Sequence, residues 1–305
     1  MKSTIEKALQ KQKEAQSVSG EVSSSELPNQ KIQETTPAPK DHESQVLGDN
    51  EKLFTPVENF FDIDLARLDE LGFVTTSDNR RRINEEYREI KRKLILNAFG
   101  PLSSTLNNSN IIMVTSARPS EGKTFTAVNL ALSIAAEQDK TVLLVDADVL
   151  KPNVLRTLNL KPQKGLMDYL LSESEPLSQF IYKTNVDKLR VIPAGSSHHL
   201  STELLASSIM QETVNEFSTR YPDRIVIIDT PPIIGINESA VLASFAGQAV
   251  VVVEEGTSKL RDIQTSVERL NQDMAVGFVV NKSINISESG GYYGYYYYGH
   301  NPDKE

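Results

Sequence analysis

Three short stretches carry the side-chain types that phosphate chemistry needs. The first is "ARPSEGKT", residues 117–124. It follows the phosphate-binding loop pattern G-x-x-x-x-G-K-[ST], with Ala117 in the place of the first glycine. Gly122 lets backbone N–H groups approach phosphate oxygens, and a helix starting near Lys123 points its positive dipole end at them. In such a loop Lys123 reaches the β and γ phosphates of ATP, and the Thr124 hydroxyl ligates Mg²⁺. The run Ser120, Glu121, Gly122, Lys123, Thr124 and Phe125 is therefore the candidate nucleotide-binding segment. The bland alternative is a strand-to-helix turn that happens to contain GKT. The context speaks against it, because a buried-type strand precedes the loop and an amphipathic helix follows.

The second stretch is "LLVDADVLKP" and the third is "IVIIDTPP". Asp146 and Asp148 lie at the tip of one strand, where a pair of carboxylates can hold water on Mg²⁺ or accept a proton from a hydroxyl. A solvated turn and the D-x-D metal motif of glycosyltransferases are the alternatives, and neither explains the preceding loop. Asp229 follows four apolar residues, a Walker B pattern that sets a carboxylate beside the loop's Mg²⁺. Lys123, Asp146, Asp148 and Asp229 are the candidate catalytic residues. Thr124 and the three aspartates are the candidate metal ligands. In "FVVNK", Asn281 ends a further strand, where a plain polar cap is the residue-level reading. His198 and His199 lack a matching carboxylate motif and read as loop residues.

The chain closes on "SGGYYGYYYYGHNPDKE". Six of its ten tyrosines are Tyr292, Tyr293, Tyr295, Tyr296, Tyr297 and Tyr298. They lack strand alternation and helix periodicity, so a core role does not suit them. A low-complexity stacking segment is one reading. Beside a nucleotide site with spare carboxylates, a flexible tail that serves as the phosphoryl acceptor is another.

The elements that must position these groups are legible as short apolar runs alternating with helical stretches. The runs are 111–117, 141–147, 189–195, 224–230, 248–255 and 276–282. Continuous apolar strands imply burial on both faces. Helices between them imply right-handed βαβ units. The expected fold class is α/β, a P-loop NTPase-type mostly parallel sheet with helices on both faces. Ligands of such sheets bind at the carboxyl ends of the strands, where all three stretches fall. Residues 1–55 read as a short charged helix plus a Ser/Glu/Gln/Pro-rich linker too poor in apolar side chains to offset chain entropy. Residues 56–108 read as a helical, oligomerisation segment, 109–284 as the ATP-binding domain and 285–305 as the tail.

The bulk composition narrows the function classes. A net charge of −9 disfavours nucleic acid and anionic membrane as partners. The absence of cysteine removes thiol nucleophiles, disulfides and Cys-based metal sites. No secretory signal and no spanning run is visible, so a cytoplasmic location is expected.

Taken in order, "SARPSEGKT", "LLVDADVLKP", "IVIIDTPP" and the tyrosine cluster resemble the deviant-Walker P-loop family. Within it they most resemble the bacterial tyrosine kinases of capsule and exopolysaccharide synthesis. The opening "STIEKAL" is also similar to the exosortase-associated subset. The resemblance covers about residues 80–300 and implies ATP and Mg²⁺ as cofactors, with Asn281 at the place where relatives of this fold read the adenine ring and a polar strand cap as the alternative. It implies autophosphorylation of the six tail tyrosines by a neighbouring subunit. It implies a ring-like homo-oligomer packed through an E-x-x-R-x-x-R motif, matched here by Glu85, Arg88 and Lys91. Simple i,i+3 charge pairing is the alternative for those three. A membrane chain-length regulator as activator, recruitment to the inner face of the membrane, and an opposing tyrosine phosphatase are implied as well. Arg118 stands where partition ATPases of the same superfamily carry a signature lysine, which fits the kinase branch. Leu150 and Lys91 stand where the family usually has arginine, and Lys151 or Arg118 is the candidate replacement for the charge missing at Leu150. A partition- or positioning-type ATPase, and a nucleotide-dependent export scaffold without turnover, are the rival readings.

Overall fold

A computed structural model describes residues 59–75, 81–172 and 174–283. The expectations for residues 1–55 and for the tyrosine tail lie outside the described residues. The first part of the fold runs β1 (Phe60–Phe61), α1 (Leu65–Glu70), α2 (Arg82–Phe99), β2 (Ile111–Ser116), α3 (Lys123–Ala135) and β3 (Thr141–Asp146). It continues α4 (Val154–Thr157), α5 (Leu166–Leu171), β4 (Tyr182–Thr184), β5 (Leu189–Ile192), α6 (Ser201–Leu205) and α7 (Ser208–Thr219). It ends β6 (Arg224–Asp229), α8 (Asn237–Ala243), β7 (Gln248–Glu254), α9 (Leu260–Glu268) and β8 (Ala275–Asn281). The eight strands form one sheet in the order β1-β4-β5-β3-β6-β2-β7-β8, parallel except for the β4–β5 pair. This is the mostly parallel α/β sheet that the apolar runs predict, and each of the six runs is a strand.

Side chains from the two faces form two separate cores. One joins Ile112, Val114, Leu130 and Ile134 with Leu94 of α2. The other joins Met113, Val145 and Ile228 with Leu205, Met210 and Phe217 of α6 and α7. Every residue of β2 is buried, as a strand covered on both faces must be. The last strand departs from that expectation. Phe278 and Val280 of β8 are 52% and 63% exposed. The strand lies at the sheet edge, pairs only with β7, and leaves these two side chains uncovered among the described residues.

Residues 59–108 are not set apart from the ATP-binding region. Phe61, Ile63, Leu68, Phe73, Tyr87 and Leu94 bury into the same core as α3. Two short strands, β1 and β4, are absent from the sequence reading, since two or three residues carry no period. Phe61 and Tyr182 stack at 4.3 Å where these strands meet.

Candidate active site

β2 delivers the phosphate-binding loop and α3 begins at Lys123. Gly122 adopts φ +103°, and a Cβ there would lie 1.9 Å from the Asn281 side-chain nitrogen. Backbone freedom and close approach both demand glycine. Ser120 also has positive φ, at +69°. The loop is braced from within by Glu121, which is 3% exposed. Its Oε2 accepts from the Arg118 N–H at 2.7 Å, and its Oε1 accepts from the Ser258 hydroxyl. Glu121 thus shapes the loop with its side chain. Phe125 turns its ring against Phe73, 4.7 Å away, so only its backbone belongs to the phosphate loop.

The aspartates converge because the strands are in register. Asp146 of β3 and Asp229 of β6 are directly paired across adjacent parallel strands. The Thr124 hydroxyl donates to Asp229 Oδ2 at 2.6 Å. Asp146 Oδ1 accepts from the Asp148 N–H at 3.2 Å, and Oδ2 from the N–H groups of Asn153 and Val154 at 3.1 and 3.0 Å. Asp148 Oδ1 accepts from the Lys151 N–H at 3.0 Å.

Burial dominates the electrostatics. Desolvation, opposed by the Val154 N–H and reinforced by the Asp148 charge, pushes the Asp146 carboxyl up to about 7. Asp229, fully buried, is raised well above the usual carboxylate range, first by desolvation and then by Asp146. Asp148 is raised by burial and held back by the Lys151 N–H and by the charges of Lys123 and Lys151. The three carboxylates outnumber the two ammonium groups, Lys123 and Lys151, that act on them.

The residues present fit Mg²⁺ bound with a nucleotide. Asp229 Oδ1 is buried and has no hydrogen-bond partner. Beside it stands the Thr124 hydroxyl. Among the described residues no three Asp, Glu or His side chains could hold an ion by themselves. That suits Mg²⁺, which takes one or two carboxylates and fills its shell with water and substrate phosphates.

Two further placements bear on the sequence reading. Asn281 donates to the Glu121 carbonyl at 3.0 Å, and Lys282 donates to the Ser120 carbonyl at 2.8 Å and to Glu254. The end of β8 is therefore fastened to the phosphate loop, and the Asn281 amide faces the loop backbone. Ser258, Asp262 and Lys282 belong to this framework, and no motif marks them. Arg118 leans outward onto Asp262 at 3.1 Å. Leu150 is exposed.

On α2, Glu85 and Arg88 form an exposed pair at 2.6 Å. Lys91 turns the other way. It is 7% exposed, donates to the Ser133 carbonyl at 2.8 Å and pairs with Glu137 at 2.6 Å. Its charge is satisfied inside the chain, so of the expected oligomerisation triplet only Glu85 and Arg88 face outward. His198 and His199 lie in a loop, with rings 4.4 Å apart.

The fold and the loop-plus-aspartate site define a P-loop nucleotide-binding protein. The AAA domain family matches residues 109–276. The tyrosine-protein kinase YwqD of Bacillus subtilis is 33% identical over 214 residues, which cover 69% of this chain and 86% of that protein. The tyrosine-protein kinase wzc of Salmonella typhimurium is 31% identical over 199 residues, 65% of this chain but 27% of that longer protein. The crystal structure of the chimerical protein CapA2B2 superposes with a TM-score of 0.61 at 25% identity, covering 75% of this chain and 94% of that one. This chain belongs to the bacterial tyrosine-protein kinase family.

Proposed function

We propose that this chain is an ATP-dependent protein-tyrosine kinase. Its substrate is its own tyrosine cluster, Tyr292, Tyr293 and Tyr295–Tyr298, presented by a neighbouring copy. The single observation that carries this reading is a phosphate loop facing three clustered carboxylates in a chain that carries six tyrosines between Tyr292 and Tyr298. The relatives' names point the same way.

Lys123 and the loop N–H groups hold the β and γ phosphates of ATP. Thr124 and Asp229 would hold Mg²⁺, with Asp148 and Asp146 reached through water; bound there, it supplies charge against the phosphate oxygens. A tyrosine oxygen attacks the γ-phosphorus in line, the bond to the β–γ bridging oxygen breaks, and ADP leaves. The phenolic proton passes to a carboxylate. Asp146 suits this role, because three of its roughly four lone-pair sites accept backbone N–H bonds and one remains.

The biological setting is control of capsule or exopolysaccharide polymerisation and export. A membrane chain-length regulator activates the kinase and holds it at the inner face of the membrane. Glu85 and Arg88 pack subunits into a ring. Each phosphate adds about −1.5 to −2 charge. Several in a row repel neighbouring tails, so the ring opens, and a phosphatase resets it. No described helix is long and apolar enough to cross a membrane.

The test is tail-peptide mass spectrometry after incubation with Mg·ATP, wild type beside Lys123→Met. Phosphate ladders on residues 292–298, absent in the variant, are the expected result. ATP hydrolysis with an unmodified tail, with the activator's cytoplasmic segment present, would place the chain with the positioning ATPases instead.

A further inference from the structure

A second cleft, of about 650 Å³, opens beside the site at the carboxyl ends of β3 and β5. Asp146 forms one wall, and Pro193–Gly195 after β5 form another. The phosphate loop follows β2, and β6 separates β2 from β3. The cleft therefore adjoins Asp146 on the side away from the loop. In-line transfer needs the acceptor opposite the leaving ADP. The acceptor's side is where the cleft lies.

Its lining is of two kinds. Pro152, Leu160 and Pro193 offer apolar surface of the sort that receives aromatic rings. Arg156 and Lys161 add two positive charges, and neither has an acidic partner among the described residues. An unmodified tyrosine has no use for them. A phosphotyrosine has, because guanidinium and ammonium groups are the standard recognition elements for phosphate.

Resting on the kinase reading above, we propose that this cleft binds a tail tyrosine that already carries phosphate and so presents another tyrosine to Asp146. In an extended chain, residues i and i+2 share a face and lie about 7 Å apart. A phosphotyrosine held by Arg156 and Lys161 leaves the tyrosine two positions away on the same face, toward the carboxylate. The contiguous Tyr295–Tyr298 run supplies such pairs. Two cations balance about one phosphotyrosine at −1.5 to −2. The first phosphate is thus welcomed and later ones are repelled, which joins a processive start to the ejection that ends the cycle.

The test uses the full chain and synthetic peptides of residues 288–305, one unmodified and one carrying phosphotyrosine at position 297. Wild type is expected to show a KM for the phosphopeptide at least tenfold below that for the unmodified peptide, with Tyr295 the preferred new site by mass spectrometry. In Arg156→Ala/Lys161→Ala that ratio falls to near one, and in Arg156→Glu it inverts. Equal KM values in wild type, or a ratio that survives in both variants, would overturn the proposal and leave the kinase reading standing. If wild type, with the activator's cytoplasmic segment present, modifies neither peptide, the kinase reading fails, and fluorescence anisotropy of the labelled peptides decides the cleft. Tighter binding of the phosphopeptide, lost in the double variant, supports it; equal binding sinks it.

Discussion

At the scale of single residues, the site stores charge that the fold alone does not balance. Asp229 has one oxygen on Thr124 and one with no partner, in full burial. Its raised pKa means that the folded chain holds a proton the unfolded chain has released. That contribution to stability is complete below the unfolded value and is lost as pH rises through the folded one. Asp229→Asn removes the ionisation. In EDTA without nucleotide, the variant is expected to melt above wild type at pH 8, and the difference to shrink toward pH 5. Phosphoryl transfer should fall at least about a hundredfold in the same variant. Differential scanning calorimetry and a tail-phosphorylation assay read the two effects. A variant that melts lower at pH 8 would mean that the Thr124 contact outweighs the buried charge.

At the scale of elements, α2 presents two different surfaces. Its inner stripe, Tyr87, Lys91, Leu94 and Ala98, packs on the body of the domain. Lys91 fixes that packing through the Ser133 carbonyl at the end of α3 and through Glu137 just beyond. Its outer stripe carries the Glu85–Arg88 pair, half exposed on both sides. Lys91→Met is expected to cost about 2 kcal/mol, because a buried carbonyl and a carboxylate lose their donor. Arg88→Ala should cost under about 0.5 kcal/mol, as exposed pairs do. Self-association should order the two the other way, with Arg88→Ala the more damaging. Urea titration and sedimentation velocity on both variants separate the roles. If Arg88→Ala assembles as wild type does, the outer stripe is ordinary helix charge pairing.

At the scale of the whole molecule, the last described strand ends at the same edge of the sheet as the site. β8 runs parallel to β7 and β2, and it ends fastened to the phosphate loop by Asn281 and Lys282. From β8 to β3 is four strand spacings, about 19 Å. The nine steps from Ser283 to Tyr292 can span about 30 Å. Reach alone therefore permits a tail to enter its own site as well as a neighbour's. Mixing settles it. Lys123→Met supplies an intact tail without chemistry, and a chain with all six tail tyrosines changed to Phe supplies chemistry without an acceptor. Phosphate on the Lys123→Met tail is the expected outcome. An unmodified tail in the mixture, with wild type alone modified, would establish transfer within one chain.

Much of this protein was determined by sequence itself. The six strand runs, the loop at residues 117–124 and the aspartates at strand ends are local patterns whose physics is local: β-branched apolar runs make buried strands, and Gly-Lys-Thr opens a helix. Tertiary structure decided what depends on partners far along the chain. It set Asp146 beside Asp229 on adjacent strands and buried both, and that burial is what raises both carboxyls. It turned the Glu121 side chain toward Ser258 and the Phe125 ring toward Phe73. It drew Lys91 out of a surface motif and into α3, which helical spacing cannot foresee because the same spacing serves either face. It set the basic cleft of Arg156 and Lys161 against Asp146, ten and fifteen residues earlier in the chain. Spacing along a chain sets which way a side chain points within its own element. Only packing sets what it points at.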